Sequence, residues 1–383
     1  MVGSVRVSRT RHGVRLLGSG ALILGVAASV LLGAPAAALP LTIATVPVGE
    51  YPTGVAVSPD GGTIYVANVA DDTVSVIDAS TNTVTQTVPV GVYPQGIAIS
   101  PDGSVVYVTN GGSNDVAVID TSDNTATALF PVGANPLGVA FSPDGATAYV
   151  PNSGANTVYV INTSDNTWTS TVLVGDYPRG LAVTPDGSTI YVANTGDNTV
   201  SVVRTSDNTV IATVPVGLSP LGVTVSPDGA VAYVTNSGSN TMSVIRTTDS
   251  TVTGTIVVGA APHSLAFSTD GSTAYVANYA DGTISIVNTD DQTVSGTMAT
   301  GGSPFGVAIS PDGTFLYVTD FNGDQMFVIQ VATPPAPPPA PALPATGLGV
   351  AEAGPVLAPL ALLTVLVGAL CVATTLPRRG SRS

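Results

Sequence analysis

The stretch Ser58-Pro59-Asp60-Gly61 returns along the chain and decides how it folds. Proline presets φ at the second position of a tight turn, and glycine suits the last position. Six related copies follow at a constant spacing of 42 residues, with their aspartates at 102, 144, 186, 228, 270 and 312. Thr184 replaces the serine of the fourth copy, and Thr269 replaces the proline of the sixth. Turn chemistry at a period of about 40–50 residues predicts a repeat architecture.

The residues between two turns predict four short strands in each repeat. In the first repeat they are 54–57, 63–68, 73–78 and 83–90, which are rich in β-branched and apolar residues. Short connections make neighbouring strands antiparallel, so each repeat is a four-stranded meander that cannot bury both of its faces alone. Seven such sheets stacked around an axis can bury them. We therefore predict an all-β fold, a seven-bladed β-propeller of four-stranded antiparallel blades over residues 39–331.

The offset of 42 residues also predicts how the ring closes. Residues 41–48 align with the fourth strand at 83–90, although no first three strands precede them. The last repeat lacks a fourth strand of its own, because the residues at that register, 335–342, are mostly proline. Proline cannot donate to a β-ladder. The N-terminal strand is therefore predicted to complete the last blade beside residues 326–329.

The second strands share the motif Tyr65-Val66-Ala67-Asn68, which returns seven times with small changes. This pattern resembles the YVTN family of β-propeller repeats, found in bacterial and archaeal surface proteins. The WD40 signature is absent, since Trp168 is the only tryptophan. Two copies depart from the motif, with Asp320 in place of asparagine and Pro151 inside the third copy. Because Pro151 removes a ladder donor, we expect it at a strand end or a bulge.

Both ends of the chain read as targeting segments outside the fold. Residues 1–38 contain a basic start, an apolar run and small residues, which is typical of a secretory signal peptide, with an uncleaved membrane anchor as the alternative. Residues 332–342 form a proline-rich linker. Residues 348–383 contain an apolar span at 356–376, long enough to cross a bilayer as a transmembrane helix, and a basic tail.

Between the linker and the span lies Leu343-Pro344-Ala345-Thr346-Gly347. This order resembles the cell-wall sorting signal of Gram-positive surface proteins, with Leu343, Pro344, Thr346 and Gly347 matching LPxTG. The resemblance implies that a sortase cuts after Thr346 and joins its carboxyl group to peptidoglycan. We expect an exported protein that is anchored to the cell wall, or held in the membrane by 356–376 if it is not sorted.

The charge of the predicted mature product is strongly acidic. Residues 39–346 contain no lysine, and three arginines against 24 acidic residues give a net charge of −21. Such a surface argues against nucleic acid and anionic lipid as partners. The only cysteine, Cys371, lies in the C-terminal segment, so disulfides are excluded from the mature protein.

One position in each repeat varies while its surroundings stay constant. It follows the proline of a Gly-x-x-Pro-x-Gly pattern or a near variant, at the start of the innermost strand, so it should ring the mouth of the axial channel. The seven residues are Thr53, Gln95, Leu137, Arg179, Leu221, His263 and Phe305. We predict a ligand site for an anionic or polar ligand here, with no catalytic residue assigned. The predicted ligand-binding residues are Gln95, Arg179, His263, Phe305, Tyr51, Tyr93 and Tyr177. The alternative is neutral variation of a solvated rim.

These features favour a cell-surface binding or adhesion module without enzymatic activity, whose ligand is a protein or a glycan. One alternative is a secreted hydrolase of the lactonase type that uses the central channel, since seven-bladed lactonases share this architecture. Another is a structural component of a surface layer. No cofactor is expected, although Asp320, Asn322 and Asp324 alternate as calcium ligands do. Asn and Asp favour such turns without a metal as well.

Overall fold

The computed structural model describes residues 40–331, and they form seven separate four-stranded antiparallel sheets. The predicted seven-bladed all-β propeller is therefore confirmed. The described residues include no helix that is both long and apolar enough to span a bilayer. The predicted signal peptide, linker, sorting motif and apolar span lie outside the described residues.

The strands follow the chain in a regular order. The first strand, β1 (Leu41–Pro47), precedes the blades. Blade one comprises β2 (Pro52–Val57), β3 (Thr63–Asn68), β4 (Thr73–Asp78) and β5 (Thr83–Pro89). Blade two comprises β6 (Pro94–Ile99), β7 (Val105–Asn110), β8 (Asp115–Asp120) and β9 (Thr125–Pro131). Blade three comprises β10 (Ala140–Phe141), β11 (Thr147–Asn152), β12 (Thr157–Asn162) and β13 (Thr167–Leu173).

The remaining blades repeat this order. Blade four comprises β14 (Pro178–Val183), β15 (Thr189–Asn194), β16 (Thr199–Arg204) and β17 (Thr209–Pro215). Blade five comprises β18 (Pro220–Val225), β19 (Val231–Asn236), β20 (Thr241–Arg246) and β21 (Thr251–Val257). Blade six comprises β22 (Pro262–Phe267), β23 (Thr273–Asn278), β24 (Thr283–Asn288) and β25 (Thr293–Ala299). Blade seven comprises β26 (Pro304–Ile309), β27 (Phe315–Asp320) and β28 (Gln325–Gln330), with β1 as its fourth strand.

The N-terminal strand closes the ring as predicted. β1 pairs antiparallel with β28 from Leu41 opposite Gln330 to Pro47 opposite Gln325. Val46 is buried against Met326 in the core that joins the last blade to the first. Both ends of the described chain therefore meet in one sheet, and each blade has two neighbours.

The core lies between neighbouring blades. The second and third strands are almost fully buried, whereas the fourth strands are largely exposed, which explains the apolar YVTN-like motifs and the threonine-rich outer strands. Tyr65 and Val76 of blade one share a cluster with Val108 and Ile119 of blade two, and the other junctions repeat this arrangement. Burial raises the pKa of Tyr65 to about 12.

The Ser-Pro-Asp-Gly turn is held by its own side chains. Ser58 Oγ donates to Asp60 Oδ1 over 2.5 Å and accepts a bond of 2.9 Å from the backbone N–H of Thr63. Asp60 Oδ1 also accepts from the N–H of Gly62, and these two bonds lower the pKa of Asp60. Gly61 has a φ of 74°, a conformation that favours glycine. The contacts support a structural role for the turn.

Blade three departs from the repeat at its innermost strand. Pro151 is the penultimate residue of β11, close to the strand end expected for it. Since Pro151 has no N–H, the pair that corresponds to Val55–Val66 of blade one is lost, and β10 keeps only two residues. Pro136 and Asn152 still form an isolated bridge. The missing donor of Pro151 therefore shortens the inner strand β10 and does not produce a bulge in β11.

Candidate functional site

The structure places all seven variable positions around one cavity of about 210 Å³ at the axis of the ring. We call this opening the channel mouth. Its wall contains the predicted residues Gln95, Arg179, His263 and Phe305. The innermost strands β6, β14, β22 and β26 supply these four residues, each from the position after the proline that begins the strand. Thr53, Leu137 and Leu221 complete the wall, so the channel mouth has both polar and apolar side chains.

The innermost strands approach each other closely because glycine follows the variable position. A Cβ at Gly54 would lie 2.6 Å from the carbonyl oxygen of Gln95, and one at Gly222 would lie 2.6 Å from that of His263. Only glycine tolerates such an approach of two backbones. Ser264 is the one exception in the seven copies, so the strands of blades six and seven accommodate a side chain at this point.

Arg179 and His263 both line the channel mouth, and the positive charge of Arg179 acts on the His263 imidazole. Burial lowers the pKa of the Arg179 guanidinium. The pKa of His263 is held well below its ordinary value of 6.5, first by burial and second by the positive charge of Arg179. The imidazole is therefore neutral near pH 7, and the guanidinium carries the charge of the site.

Arg179 has no ion-pair partner among the described residues. The other two arginines of the described chain, Arg204 and Arg246, each form an exposed salt bridge of 2.6 Å, to Asp207 and Asp249. Arg179 is half-buried, so its charge is partly desolvated, and an anion that joins it offsets this cost.

Thr235 holds the backbone of His263 in place. Thr235 was not predicted from the sequence as a site residue. Its Oγ1 donates to the carbonyl oxygen of His263 over 2.6 Å and accepts a bond of 2.9 Å from the N–H of Gly222. Thr319 makes the same two bonds, to the carbonyl oxygen of Thr53 and from the N–H of Gly306. The signal was available in the sequence, because only some copies of the motif carry threonine at this position.

Aromatic side chains extend from the channel mouth onto its rim. The rings of His263 and Phe305 are 3.6 Å apart, and Phe305 stacks on Phe321 at 5.3 Å. Tyr51 continues the row at 5.0 Å from Phe321. Tyr279 meets Phe321 edge-on at 6.0 Å. We call Phe305, Phe321, Tyr51 and Tyr279 the aromatic strip.

Sequence reasoning missed two members of the aromatic strip, Tyr279 and Phe321. Both follow the last residue of the YVTN-like motif, where the other copies have small or aliphatic residues. Those residues are Val69, Gly111, Ser153, Thr195 and Ser237. A search for aromatic residues that occur in only some copies would have found the two positions.

The three predicted tyrosines share a strained backbone conformation. Tyr51, Tyr93 and Tyr177 have φ values of 52°, 56° and 55°. This left-handed region is unfavourable for a bulky residue. The equivalent residues Asn135, Ser219 and Ala261 share it, so the conformation belongs to the repeat. The N–H of Tyr93 donates to Asp72 of the preceding blade, which holds the conformation. The described contacts bring Tyr51 into the aromatic strip, whereas Tyr93 and Tyr177 lie apart from it.

The predicted calcium ligands are engaged by protein groups. Asp320 accepts bonds from the N–H of Ser303 and from Gln325. Asn322 donates to Ser303 and to the hydroxyl of Tyr279. Asp324 accepts from the N–H of Tyr51. Over residues 40–331, no three His, Cys, Asp or Glu side chains are grouped closely enough to hold a metal ion. Calcium binding by this loop stays a prediction.

A family model matches the chain from residue 41 to residue 326, which is nearly the whole propeller. The chain belongs to the Virginiamycin B lyase family. Membership in this family agrees with the β-propeller repeat predicted from the sequence. The sorting signal at 343–347 lies outside both the match and the described residues.

Solved structures share the fold of this Virginiamycin B lyase family member. A chain of Kuenenia stuttgartiensis hydrazine synthase is similar to it with a TM-score of 0.68 and 24% identity, covering 73% of this chain and 96% of that one. At this identity the likeness shows the fold alone. No curated protein matches the sequence.

Proposed function

We propose that the channel mouth binds a small anionic ligand and that the propeller acts as a binding or adhesion module rather than an enzyme. The observation that carries this proposal is Arg179, a guanidinium in the channel wall with no carboxylate partner in the described part of the chain. A ligand carboxylate or phosphate would supply the missing charge. Arginine binds such groups through two parallel hydrogen bonds.

The surroundings of Arg179 favour selectivity for a bound anion. The predicted mature product is strongly acidic, so a free anion is repelled from most of its surface and is attracted where a cation lacks a carboxylate partner, as at Arg179. Gln95 lines the same cavity and offers an amide donor. His263 is neutral and adds a donor or acceptor without a second positive charge.

Calorimetric titration with citrate and glucuronate tests the proposal. We expect Arg179→Gln to weaken binding at least tenfold, about 1.4 kcal/mol, because a charge-assisted bond is lost. Arg204→Gln is the matched control, since it removes an arginine already paired with Asp207. Equal losses in the two variants, or no binding to the unchanged protein, would contradict the proposal.

We also propose that the propeller is displayed on the outside of a Gram-positive cell. This rests on the predicted signal peptide at 1–38 and on the order of 343–347, the apolar span 356–376 and the basic tail. Thr346 would be joined to peptidoglycan by a sortase. Fractionation of cells that express Thr346→Ala should move the protein from the wall to the membrane fraction. An unchanged wall fraction would rule out sorting at this site.

A second candidate function is cleavage of a cyclic ester, and the neutral His263 favours it. A base that is unprotonated near pH 7 can take a proton, and Arg179 can stabilise the anion that forms. The family description names a lyase, and the sequence suggests a lactonase-type hydrolase. Incubation with virginiamycin B separates the outcomes by mass spectrometry. Hydrolysis adds one water, elimination leaves the mass unchanged, and His263→Ala should abolish either reaction.

A further inference from the structure

Departures from the repeat are concentrated at the junction between blades six and seven. Ser264 replaces the glycine that elsewhere follows the variable position, and Thr269 replaces the turn proline. Gly301 has a φ of 78°, whereas the other blades place the left-handed residue two positions later, as at Tyr93. The aromatic strip crosses the same junction. One sector of an otherwise regular ring is therefore shaped differently.

Two further departures at this junction, Gly282 and Asp320, concern one hydrogen-bond donor, the N–H of Ser303. At the other junctions, an Asn or Asp between the second and third strands accepts the N–H that enters the next blade, as Asp72 does for Tyr93. Gly282 occupies this position in blade six and has no side chain to accept. The N–H of Ser303 turns to Asp320 instead, over 2.6 Å. Asp320 also accepts from the Gln325 amide through its second oxygen, which the amide nitrogen of an asparagine could not do. The loop at 301–303 therefore lacks the usual clamp from the preceding blade.

The channel mouth is too small for the whole of a larger ligand. Sites for drug-sized ligands usually have volumes of about 300–1,000 Å³, and this cavity has about 210 Å³. A ligand whose acidic group reaches Arg179 must therefore extend onto the rim. Phe305 belongs both to the cavity wall and to the aromatic strip, so the strip is the apolar surface that continues from the cavity.

Polar groups border the aromatic strip. Asn322 is exposed and donates to Ser303 Oγ and to the Tyr279 hydroxyl, and Ser303 contacts the same loop. Neutral amides and hydroxyls beside aromatic faces match a pyranose ring, which presents C–H groups on its faces and hydroxyls at its edge. The negative face of an aromatic ring attracts the weakly positive C–H groups on a face of such a partner. A purely aromatic acid would contact the aromatic strip but would offer no ring hydroxyls to the bordering polar groups.

We propose that the site takes an acidic sugar, with its carboxylate at Arg179 and a pyranose ring on the aromatic strip. This inference rests on the proposed function, because it adds a ring subsite to the anion site of the channel mouth. The ligand class is a glycan that contains a uronic acid or another carboxylated sugar. Its next residue along the glycan lies over Phe321 and Tyr51.

The test uses the full-length chain and two tyrosines at equivalent positions. Tyr51 lies in the aromatic strip, is 45% exposed and has a φ of 52°, while Tyr93 lies outside it, is 56% exposed and has a φ of 56°. The probes are a tetrasaccharide of alternating glucuronic acid and N-acetylglucosamine, a neutral N-acetylglucosamine tetramer, benzoate and citrate. Binding is measured by calorimetry, and thermal melting checks that each variant is folded.

We expect the acidic tetrasaccharide to bind at least tenfold more tightly than citrate and the neutral tetramer. Tyr51→Ala should remove most of that advantage while leaving citrate binding unchanged, and Tyr93→Ala should change neither by more than about twofold. Equal effects of the two substitutions, or tighter binding of benzoate, would overturn the sugar subsite. If the sugar subsite is overturned but citrate still binds through Arg179, the proposed anion site stands without the sugar subsite. If citrate does not bind either, both proposals fail.

Discussion

The two faces of the propeller differ in what the repeats keep constant. One face carries the Ser-Pro-Asp-Gly turns, whose hydrogen bonds are nearly the same in all seven copies. The other face carries the channel mouth, where almost every copy has a different side chain on the same backbone. We call them the turn face and the mouth face. The turns therefore define the scaffold, and side chains that could bind a ligand vary only where the scaffold tolerates variation.

Removing residues 41–47 should damage both faces at once. The deletion takes away the ladder between β1 and β28, worth about 1 kcal/mol net for each hydrogen bond, and the buried Val46. The loss approaches the whole stability of a typical domain, about 5–15 kcal/mol. We expect loss of cooperative unfolding in urea and of ligand binding. Ile43→Thr is the control, since Ile43 is exposed on the same strand. Unchanged cooperative unfolding after the deletion would disprove closure by β1.

Ser100→Ala should separate the faces, with lower stability and unchanged binding. The substitution removes the acceptor for the N–H of Val105 and a donor to Asp102. Ser100 is buried, so the cost should be about 1–3 kcal/mol in urea unfolding. Gln95→Ala on the mouth face should cost less than about 0.5 kcal/mol while weakening anion binding. A larger change in anion affinity for Ser100→Ala than for Gln95→Ala would contradict this separation of stability from binding.

A matched pair of substitutions should affect stability in opposite directions. Gly103 has a φ of 76° on the turn face, so Gly103→Ala should destabilise the protein by about 1 kcal/mol. Tyr93 has a left-handed backbone on the mouth face, and Tyr93→Asn should stabilise it by about 0.5 kcal/mol because asparagine tolerates this region better. Thermal melting measures the direction of the stability change in both variants. A destabilised Tyr93→Asn would show that the mouth face stores no strain.

The smallest expected effect is the change in stability that each turn aspartate contributes as the pH falls. Hydrogen bonds from Ser or Thr hydroxyls and backbone N–H groups lower the pKa of all seven turn aspartates from 3.8. Because the folded pKa is lower than the unfolded one, the stabilisation is present above pH 3.8 and is lost as the pH falls through the folded values. Replacing Asp60, Asp144 and Asp228 with Asn should flatten the acid limb of the urea-unfolding profile. An identical slope would exclude this origin.

The fold could be predicted from the sequence because local signals agree with one another. Turn, strand and motif recur at one period, and the spare strand at 41–47 is identified by the offset alone. The ring of seven channel-mouth positions followed from the same register. The structure then placed Arg179, His263 and Phe305 on the wall of one cavity.

The rest of the site depends on contacts between copies, which a single repeat does not contain. The bond from Thr235 to His263 crosses from one blade to the next, and the aromatic strip joins residues of blades six, seven and one. Gly282 of blade six likewise removes a clamp on the next blade, and Asp320 of that next blade supplies the bond to Ser303 instead. Sequence periodicity shows which positions vary, but not which of the variable side chains meet.

The pKa of His263 in the presence of a ligand tests most directly whether the mouth face is the binding face. In a His12→Gln variant, His263 is the only imidazole, so proton NMR follows it without overlap. Arg179 now lowers its pKa, and an anion bound to Arg179 offsets that charge. We expect saturating glucuronate to raise the pKa of His263, and this rise to disappear in Arg179→Gln. A ligand that binds without changing the pKa of His263 would contradict it.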